Sequence, residues 1–543
     1  MRSSSFRSPS SPVVIVVASA SAITLFAFAS SRRRLYQRQQ RHISNSKDSK
    51  NTVSLSLVEK EEIIKEKNIE LFHQETERNL KILSDPEFQI LLHRPWGFPN
   101  CHFASLLAQI RPSPFWGNWG KLAKRRTEHI ATPGGGAIEV EYVEPINLPY
   151  PPPSNIPIII ILHGITGNSR EPYTEQAALH IAVEKRWRAV ILNYGKVRVS
   201  NDENRPCIHG GHNLMDGGDL NFLISHIRKY HNGFLAAIGY SMGGAKLVQY
   251  LSRTREHSNL DAACIVSSPL DFTEKNVTVH RPHGLIHRFY HFLLAQALKV
   301  WIIQNYDELK KHPKVSSTKP FRKTTSGLLW WIQASRVTDV DEALTIHAKG
   351  YKDLNHYYND ATSADRLKEH ITIPFLCITA KNDPFVPAEI IPSKEVAMAN
   401  DNVFIVNTKL LGGHIGFWLP GRGCWATKGC LSFFDSVKKH VAIKPKSKYF
   451  FRQSSLHAAH NLQRTSSTGL NNYYKFLPDY SSSCLKDLIM TDIVVPEGMM
   501  STVNTSPTKT YNMFPGNAAA TRRRSYVHHS SSGSFGSIGM AVE

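Results

Sequence analysis

The chain has 543 residues, room for one α/β domain of about 300 residues with a large core and for appendages besides. Its seven cysteines include no CxxC pair and no metal-ligand spacing; they do not suggest a disulfide framework and fit a reducing compartment. The formal charge of +21 favours anionic partners; no nucleic-acid-binding module is recognisable, so no nucleic-acid partner is expected, and an anionic membrane surface is the more economical fit.

Residues 13–29 are apolar or small and carry no charge, slightly short of a membrane span of about 20 residues. Arg32, Arg33, Arg34, Arg38 and Arg41 follow, against Arg2 and Arg7 before. That bias reads as a signal anchor within residues 1–50 with the rest of the chain in the cytosol. A cleaved plastid transit peptide is the alternative, because residues 1–47 are rich in Ser and Arg and contain no acid. A secretory signal peptide fits less well, since arginines rather than a small-residue cleavage site end the apolar run. Residues 51–94 read as a helical stalk: 58–83 is charged, with Ile64, Leu71 and Phe72 at helical spacing and Ile69 off that face. A merely solvated helix is the other reading.

The core is expected over 95–442. Strand-like runs at 138–143, 158–162, 189–193, 234–238, 262–267, 374–379 and 403–407 alternate with helical stretches. This predicts an α/β fold, a mostly parallel central sheet with helices on both faces. Residues 271–370 form a long insertion of helical pattern, with Leu285, Phe289, Phe292 and Leu293 on one side, placed to cap the sheet. Trp330 and Trp331 within it either line an acyl channel or pack the cap. His283, His287 and His291 share a helix face, but no Asp or Glu completes a metal site, and they read as a basic cap helix. His209 and His212 read as a loop at the site's mouth. Asn276-Val277-Thr278 is a glycosylation sequon, a chance match if the core is cytosolic. Residues 443–543, rich in Ser, Asn, Thr and Lys and including Arg522-Arg523-Arg524, read as a mostly disordered basic tail, either a docking segment or an inert extension.

The chemistry is concentrated in four segments. Gly239-Tyr240-Ser241-Met242-Gly243 lies between an apolar run and a helix-like stretch, so Ser241 sits at the apex of a sharp strand-to-helix turn. A serine hydroxyl needs a base, an acid to orient the base, and donors for the oxyanion. Asp383 follows the run 374–379, where open α/β sheets place functional groups. Asp401, in Asn400-Asp401-Asn402, is the rival and reads as a surface turn. His414, in Gly412-Gly413-His414-Ile415-Gly416-Phe417, follows the last strand and completes the order Ser, Asp, His. His163-Gly164-Ile165-Thr166-Gly167 follows 158–162 and aims one N–H at the oxyanion, assigned to Ile165 with Thr166 as alternative. Met242 supplies the second. His163 precedes the nucleophile and reads as a loop-stabilising residue.

Together these residues resemble the α/β-hydrolase fold. More narrowly, they resemble the membrane-associated α/β-hydrolase-domain lipases and esterases that include plant embryogenesis-associated hydrolases. The narrower likeness rests on 163–167, 239–244, Asn382-Asp383-Pro384 and 412–417. It also rests on Asn100-Cys101-His102-Phe103, similar to the family's Asn-Gly-His-Leu, and on 339–358, which contains Val340-Asp341-Glu342-Ala343, Gly350-Tyr351-Lys352-Asp353 and Tyr357-Tyr358. It covers roughly 95–440, and its triad falls on Ser241, Asp383 and His414. Pro133-Gly134-Gly135-Gly136 stands where the family has Asp-Gly-Gly, and Cys101 replaces a glycine; both bear on substrate fit. His212 and Asp216 are one residue too close for the His-x4-Asp acyltransferase pattern of some relatives. The expectation is a membrane-anchored serine hydrolase of lipid esters such as acylglycerols, working through an acyl-enzyme without metal or cofactor. An acyltransferase or small-molecule esterase on the same serine, a non-catalytic scaffold, or a basic membrane- or nucleic-acid-binding protein are the alternatives.

Overall fold

Short runs of β-branched and small apolar residues, bounded by turns, form the interior of one nine-stranded sheet. The computed structural model describes residues 69–441 apart from 87, 90–99, 111–118, 133–135, 150–152, 200–207, 215–217, 274–283, 410 and 420–422. The proposed anchor at 13–29, the sequon, His283, Asp216 and the tail at 443–543 lie outside the described residues. Among the described residues no helix is long and apolar enough to cross a membrane.

The sheet strands are β1 (Ile69–Phe72), β2 (Ala123–Ala131), β3 (Ala137–Pro145), β4 (Ile158–Leu162), β5 (Arg188–Asn193), β6 (Leu235–Tyr240), β7 (Ala262–Val266), β8 (Phe375–Ala380) and β9 (Val403–Thr408). Their spatial order is β1-β9-β8-β7-β6-β4-β5-β3-β2. The six strands from β9 to β5 run parallel. The three outer ones, β1, β3 and β2, are antiparallel to their neighbours. The inner strands β4, β6, β7, β8 and β9 are buried along their whole length, which is why they read as continuous apolar runs rather than alternating ones. Edge strand β2 reads AKRRTEHIA, and its charged side chains discourage pairing with another chain.

Successive strand residues point to opposite faces, and each face is covered by helices. Ile159, Ile161, Ala236 and Ile238 pack with α3 (Pro172–Leu179) and α9 (Trp425–His440). Ile158, Ile160, Leu235 and Ala237 pack with α4 (Gly218–Tyr230), α5 (Met242–Thr254) and α8 (Leu354–Ala361). Cys264 and Cys377 are buried on these faces as small hydrophobes.

The stalk expected over 51–94 is corrected in its described part. Ile69–Phe72 is an edge strand, pairing antiparallel with β9 from Ile69 opposite Thr408 to Phe72 opposite Ile405. Helix α1 (Glu77–Ser84) follows, capped by the Thr76 side chain, which accepts from the Asn79 N–H. Ile82 and Phe88 are wholly buried in the main core, and Asp85 lies 2.8 Å from His440 on α9. The domain therefore reaches upstream to residue 69. Ile69, the residue off the helical face, is buried because that stretch is extended.

The insertion is likewise narrower than 271–370. Helices α2 (Cys101–Ile110), α6 (Gly284–Gln304) and α7 (Thr325–Gln333) are the other long helices among the described residues. The cap has its own small core, built from Leu298, Ile302, Leu309, Phe321, Trp330 and Leu344. Tyr357 and Tyr358 of α8 instead belong to the sheet's core. The Tyr357 hydroxyl accepts from the Leu214 N–H at 2.9 Å, and the Gln249 side chain donates to the Ala361 carbonyl at 2.6 Å. Trp330 is buried in the cap core, and the Trp331 indole donates to the Pro320 carbonyl at 3.1 Å, so this pair packs the cap.

Candidate active site

Ser241 links β6 to α5 with φ of 51° and ψ of −122°, a backbone conformation rarely tolerated by a residue with a side chain. The turn closes because its flanks have no Cβ. A methyl group on Gly239 would overlap the Gly244 backbone, and one on Gly243 the carbonyl oxygens of Leu162 and His163. The Ser241 N–H donates to the Val266 carbonyl at 2.9 Å, fixing the turn to the neighbouring strand. The Oγ stands at the C-terminal end of the parallel strands, where such sheets place their reactive groups.

Ser241 Oγ lies 2.8 Å from His414 Nε2. His414 Nδ1 lies 2.9 Å from Asp383 Oδ2 and 3.1 Å from Oδ1. Asp383 is buried and accepts at Oδ1 from the N–H groups of Phe385 (2.8 Å) and Val386 (3.1 Å). An ionised carboxylate accepts only, so Nδ1 carries the imidazole proton and Nε2 presents a lone pair to the serine hydroxyl. The three side chains thus meet across 173 and 31 positions of sequence. Asp401 is far from them in role: its carboxylate pairs with Arg78 at 3.3 Å and its carbonyl accepts from Asn79, tying α1 to the loop before β9.

The loop that carries His414 is held by three side chains, of which Ser105 and Ser267 carried no signal of their own in the sequence and Asn382 stood in the segment Asn382-Asp383-Pro384. Ser105 Oγ accepts from the His414 N–H at 2.7 Å, Ser267 Oγ from the Ile415 N–H at 3.0 Å, and Asn382 Oδ1 from the Gly413 N–H at 3.1 Å. Gly413 has φ of 60°, and a Cβ there would overlap the Cys101 carbonyl of α2, so the loop and that helix touch through backbone. The Phe385 ring lies 4.8 Å from the His414 ring.

Facing the serine is the turn 163–167. A Cβ on Gly164 would come 3.5 Å from Ser241 Cβ, so this turn abuts the hydroxyl. The Gly164 N–H donates to the Tyr173 hydroxyl at 2.8 Å. The Thr166 N–H donates to His212 Nδ1 at 3.3 Å, which engages the alternative oxyanion donor. Ile165 and Met242 have no protein acceptor for their N–H groups among the described residues, and Met242 is the first residue of α5, where no intrahelical acceptor exists. His163 is fully buried, stacked on Tyr194 at 4.0 Å, and burial pulls its pKa down to about 4. It is therefore a neutral structural residue, and the Tyr194 hydroxyl donates to its carbonyl. Burial also holds His212 well below the ordinary histidine range, beside Tyr194 and Trp301. Among the described residues no group of three or more His, Cys, Asp or Glu side chains is placed to hold a metal.

Helix α6 of the cap reaches this site, and Ile165 packs against the cap core. Tyr290 of α6 has its hydroxyl 2.9 Å from His102 Nδ1 and its ring 4.9 Å from that of Phe385. Burial and the nearby Cys101 push the Tyr290 phenol up to about 12, so it stays protonated.

No family model matches the chain. It is 30% identical over 317 residues to Phospholipase ABHD3 of Mus musculus, a match covering 58% of this chain and 70% of that protein. It is 26% identical over 297 residues to Monoacylglycerol lipase of Saccharomyces cerevisiae, covering 53% and 61%. It is 25% identical over 370 residues to Embryogenesis-associated protein EMB8 of Picea glauca, covering 65% and 75%. Among solved structures, carboxyl esterase 2 from Tuber melanosporum aligns with a TM-score of 0.36 at 13% identity, covering 63% of this chain and 98% of that one.

Proposed function

Because the chain belongs to the α/β-hydrolase-domain lipase and esterase family, we propose that it hydrolyses carboxylic esters of lipids, acylglycerols among them, with Ser241 as nucleophile. The observation that carries this reading is the contact of Ser241 Oγ with His414 Nε2 at 2.8 Å, backed by Asp383 on the other ring nitrogen. His414 takes the serine proton as Oγ attacks the ester carbonyl. Asp383 holds the ring and stabilises the imidazolium. The oxyanion rests on the N–H groups of Ile165 and Met242, each donor worth about 3–4 kcal/mol in such sites. His414 then protonates the leaving alcohol, and water releases the acid by the same route.

The lipid preference draws on the relatives, whose names include a phospholipase and a monoacylglycerol lipase. Attachment to a membrane through residues 13–29, with the hydrolase domain on the cytosolic side, is part of the same proposal. Alkaline carbonate extraction of a fluorescent fusion of residues 1–50 tests it: release into the supernatant, or import with cleavage into plastids, removes the anchor.

The decisive experiment on the chemistry compares wild type with Ser241→Ala on esters of graded acyl length, together with labelling by a fluorophosphonate. Turnover should fall by at least about a thousandfold and labelling should vanish. Equal labelling of the two proteins would end the serine assignment. Adding acceptor alcohols to the same assay separates hydrolysis from acyl transfer, since both share the acyl-enzyme.

A further inference from the structure

The outer face of the cap differs from the rest of the described surface. Twelve large hydrophobic side chains stand exposed among the described residues, and eight of them lie on α6 and α7. On α6, Leu285, Phe289, Phe292 and Ile303 fall within about 60° of one another at the helical repeat and form one stripe. Leu285 is 84% exposed and Ile303 62%. The same helix buries Leu298 and Ile302 in the cap core on its other side. Helix α6 is thus apolar on both sides, and its sequence, GLIHRFYHFLLAQALKVWIIQ, contains no acid. On α7, Leu328 and Ile332 are one turn apart and 62% and 69% exposed. The two helices adjoin, the Lys299 ammonium donating to the Trp331 carbonyl at 2.8 Å.

Charge around these side chains has one dominant sign. Residues 284–335 carry eight Lys and Arg against two Asp and Glu. Arg288 flanks the α6 stripe, and Lys323 precedes α7; both are exposed. Apolar side chains set among basic ones match an anionic bilayer, whose acyl region takes the former while its headgroups take the latter. The face is also well placed for use. Tyr290, on the same turns of α6 as Phe289 and Phe292, reaches His414 through the Phe385 ring.

We propose that the outer faces of α6 and α7 dock on an anionic lipid bilayer, holding the mouth of the Ser241 site against the surface from which the ester is drawn. The inference rests on the reading of the protein as a lipid-ester hydrolase, and it is separate from attachment by residues 13–29. Docking by the cap sets the orientation of the site, whereas an anchor alone would leave the domain free to turn.

The test uses the full chain and the double variant Phe289→Ser/Phe292→Ser, neither residue being in the site. Hydrolysis of a water-soluble butyrate ester should stay within about twofold, while hydrolysis of a long-chain monoacylglycerol in phosphatidylcholine–phosphatidylserine vesicles should fall about tenfold or more. Omitting phosphatidylserine should weaken the wild type on vesicles and narrow that gap. Unchanged vesicle activity in the double variant overturns the proposal. So does a shift from dimer to monomer in the variant without loss on vesicles, because a second copy would then be the occupant. If the variant loses activity on both substrates, Leu285→Ser/Ile332→Ser decides, by the same ratio of vesicle to soluble activity. If the wild type hydrolyses neither the soluble nor the vesicle ester, the hydrolase reading is what fails, and flotation of the chains on the same vesicles still tests the docking face.

Discussion

The turn at Ser241 and the cap above it use apolar residues in opposite ways. Around the turn, every residue of β4 and β6 is buried, backbone groups are paired across strands, and glycines occur where a Cβ would overlap backbone. In the cap, Trp330, Leu298 and Ile302 form a small core while Leu285, Phe289, Phe292 and Ile332 of the same helices face solvent. The sheet is therefore shaped by burial inside one chain. Burial within the chain accounts for only one side of the cap helices, and the apolar surplus on the other side points outward. The contrast separates residues that hold geometry from residues available to a partner.

That contrast can be broken by substitution, beginning with the largest effect. Asp383→Asn keeps the shape but presents a donor to His414 Nδ1 and favours the wrong tautomer; kcat on a soluble ester should drop on the order of ten thousandfold with an unchanged melting temperature. A large loss of thermal stability instead would make Asp383 a structural residue. Next, Ile160→Ala on the sheet should cost about 2–5 kcal/mol in urea unfolding, because Ile160 is wholly buried. Phe292→Ser on the cap should change stability by no more than about 0.5 kcal/mol. Similar costs at the two positions would erase the distinction.

The sheet-side contrast also carries a pH dependence. Burial lowers the His163 pKa from 6.5 to about 4 in the folded state. Between those values the unfolded chain takes up a proton that the folded chain refuses, so stability falls as pH drops through this window and is fully kept above it. His163→Asn should flatten part of that slope, read as the urea midpoint between pH 7 and pH 4. Only part is removed, because burial lowers His212 and His231 in the same sense.

Much of this was legible along the chain. The parallel strands announced themselves as apolar runs, and the glycines around Ser241 and His414 marked turns that need close backbone approach. Edge strands were less legible. β2 carries the consecutive charges Lys124, Arg125 and Arg126 and then Glu128, which hides any apolar run, and β1 is four residues long inside a segment whose spacing imitates a helix. Each is a strand because an unpaired neighbour accepts it. The cap's far boundary was missed because Tyr357 and Tyr358 look the same in sequence whether they face the cap or the sheet. Ser105 and Ser267 had no pattern to betray them, since their partners are loop amides 309 and 148 positions away, and Asn382 stood out only within the segment that carries Asp383, not for its bond to the Gly413 amide.

What the sequence by itself determined is local: the strand-to-helix turn that presents Ser241, because only glycine at 239 and 243 spares the backbone around it, and the strand runs, because residue type decides which segments suit a buried sheet. What only the tertiary structure decided is the meeting of residues 241, 383 and 414 and the outward aim of the α6 stripe. Those depend on which strands become neighbours and which helix face finds cover, and such choices are made by packing over the whole domain rather than by adjacent residues.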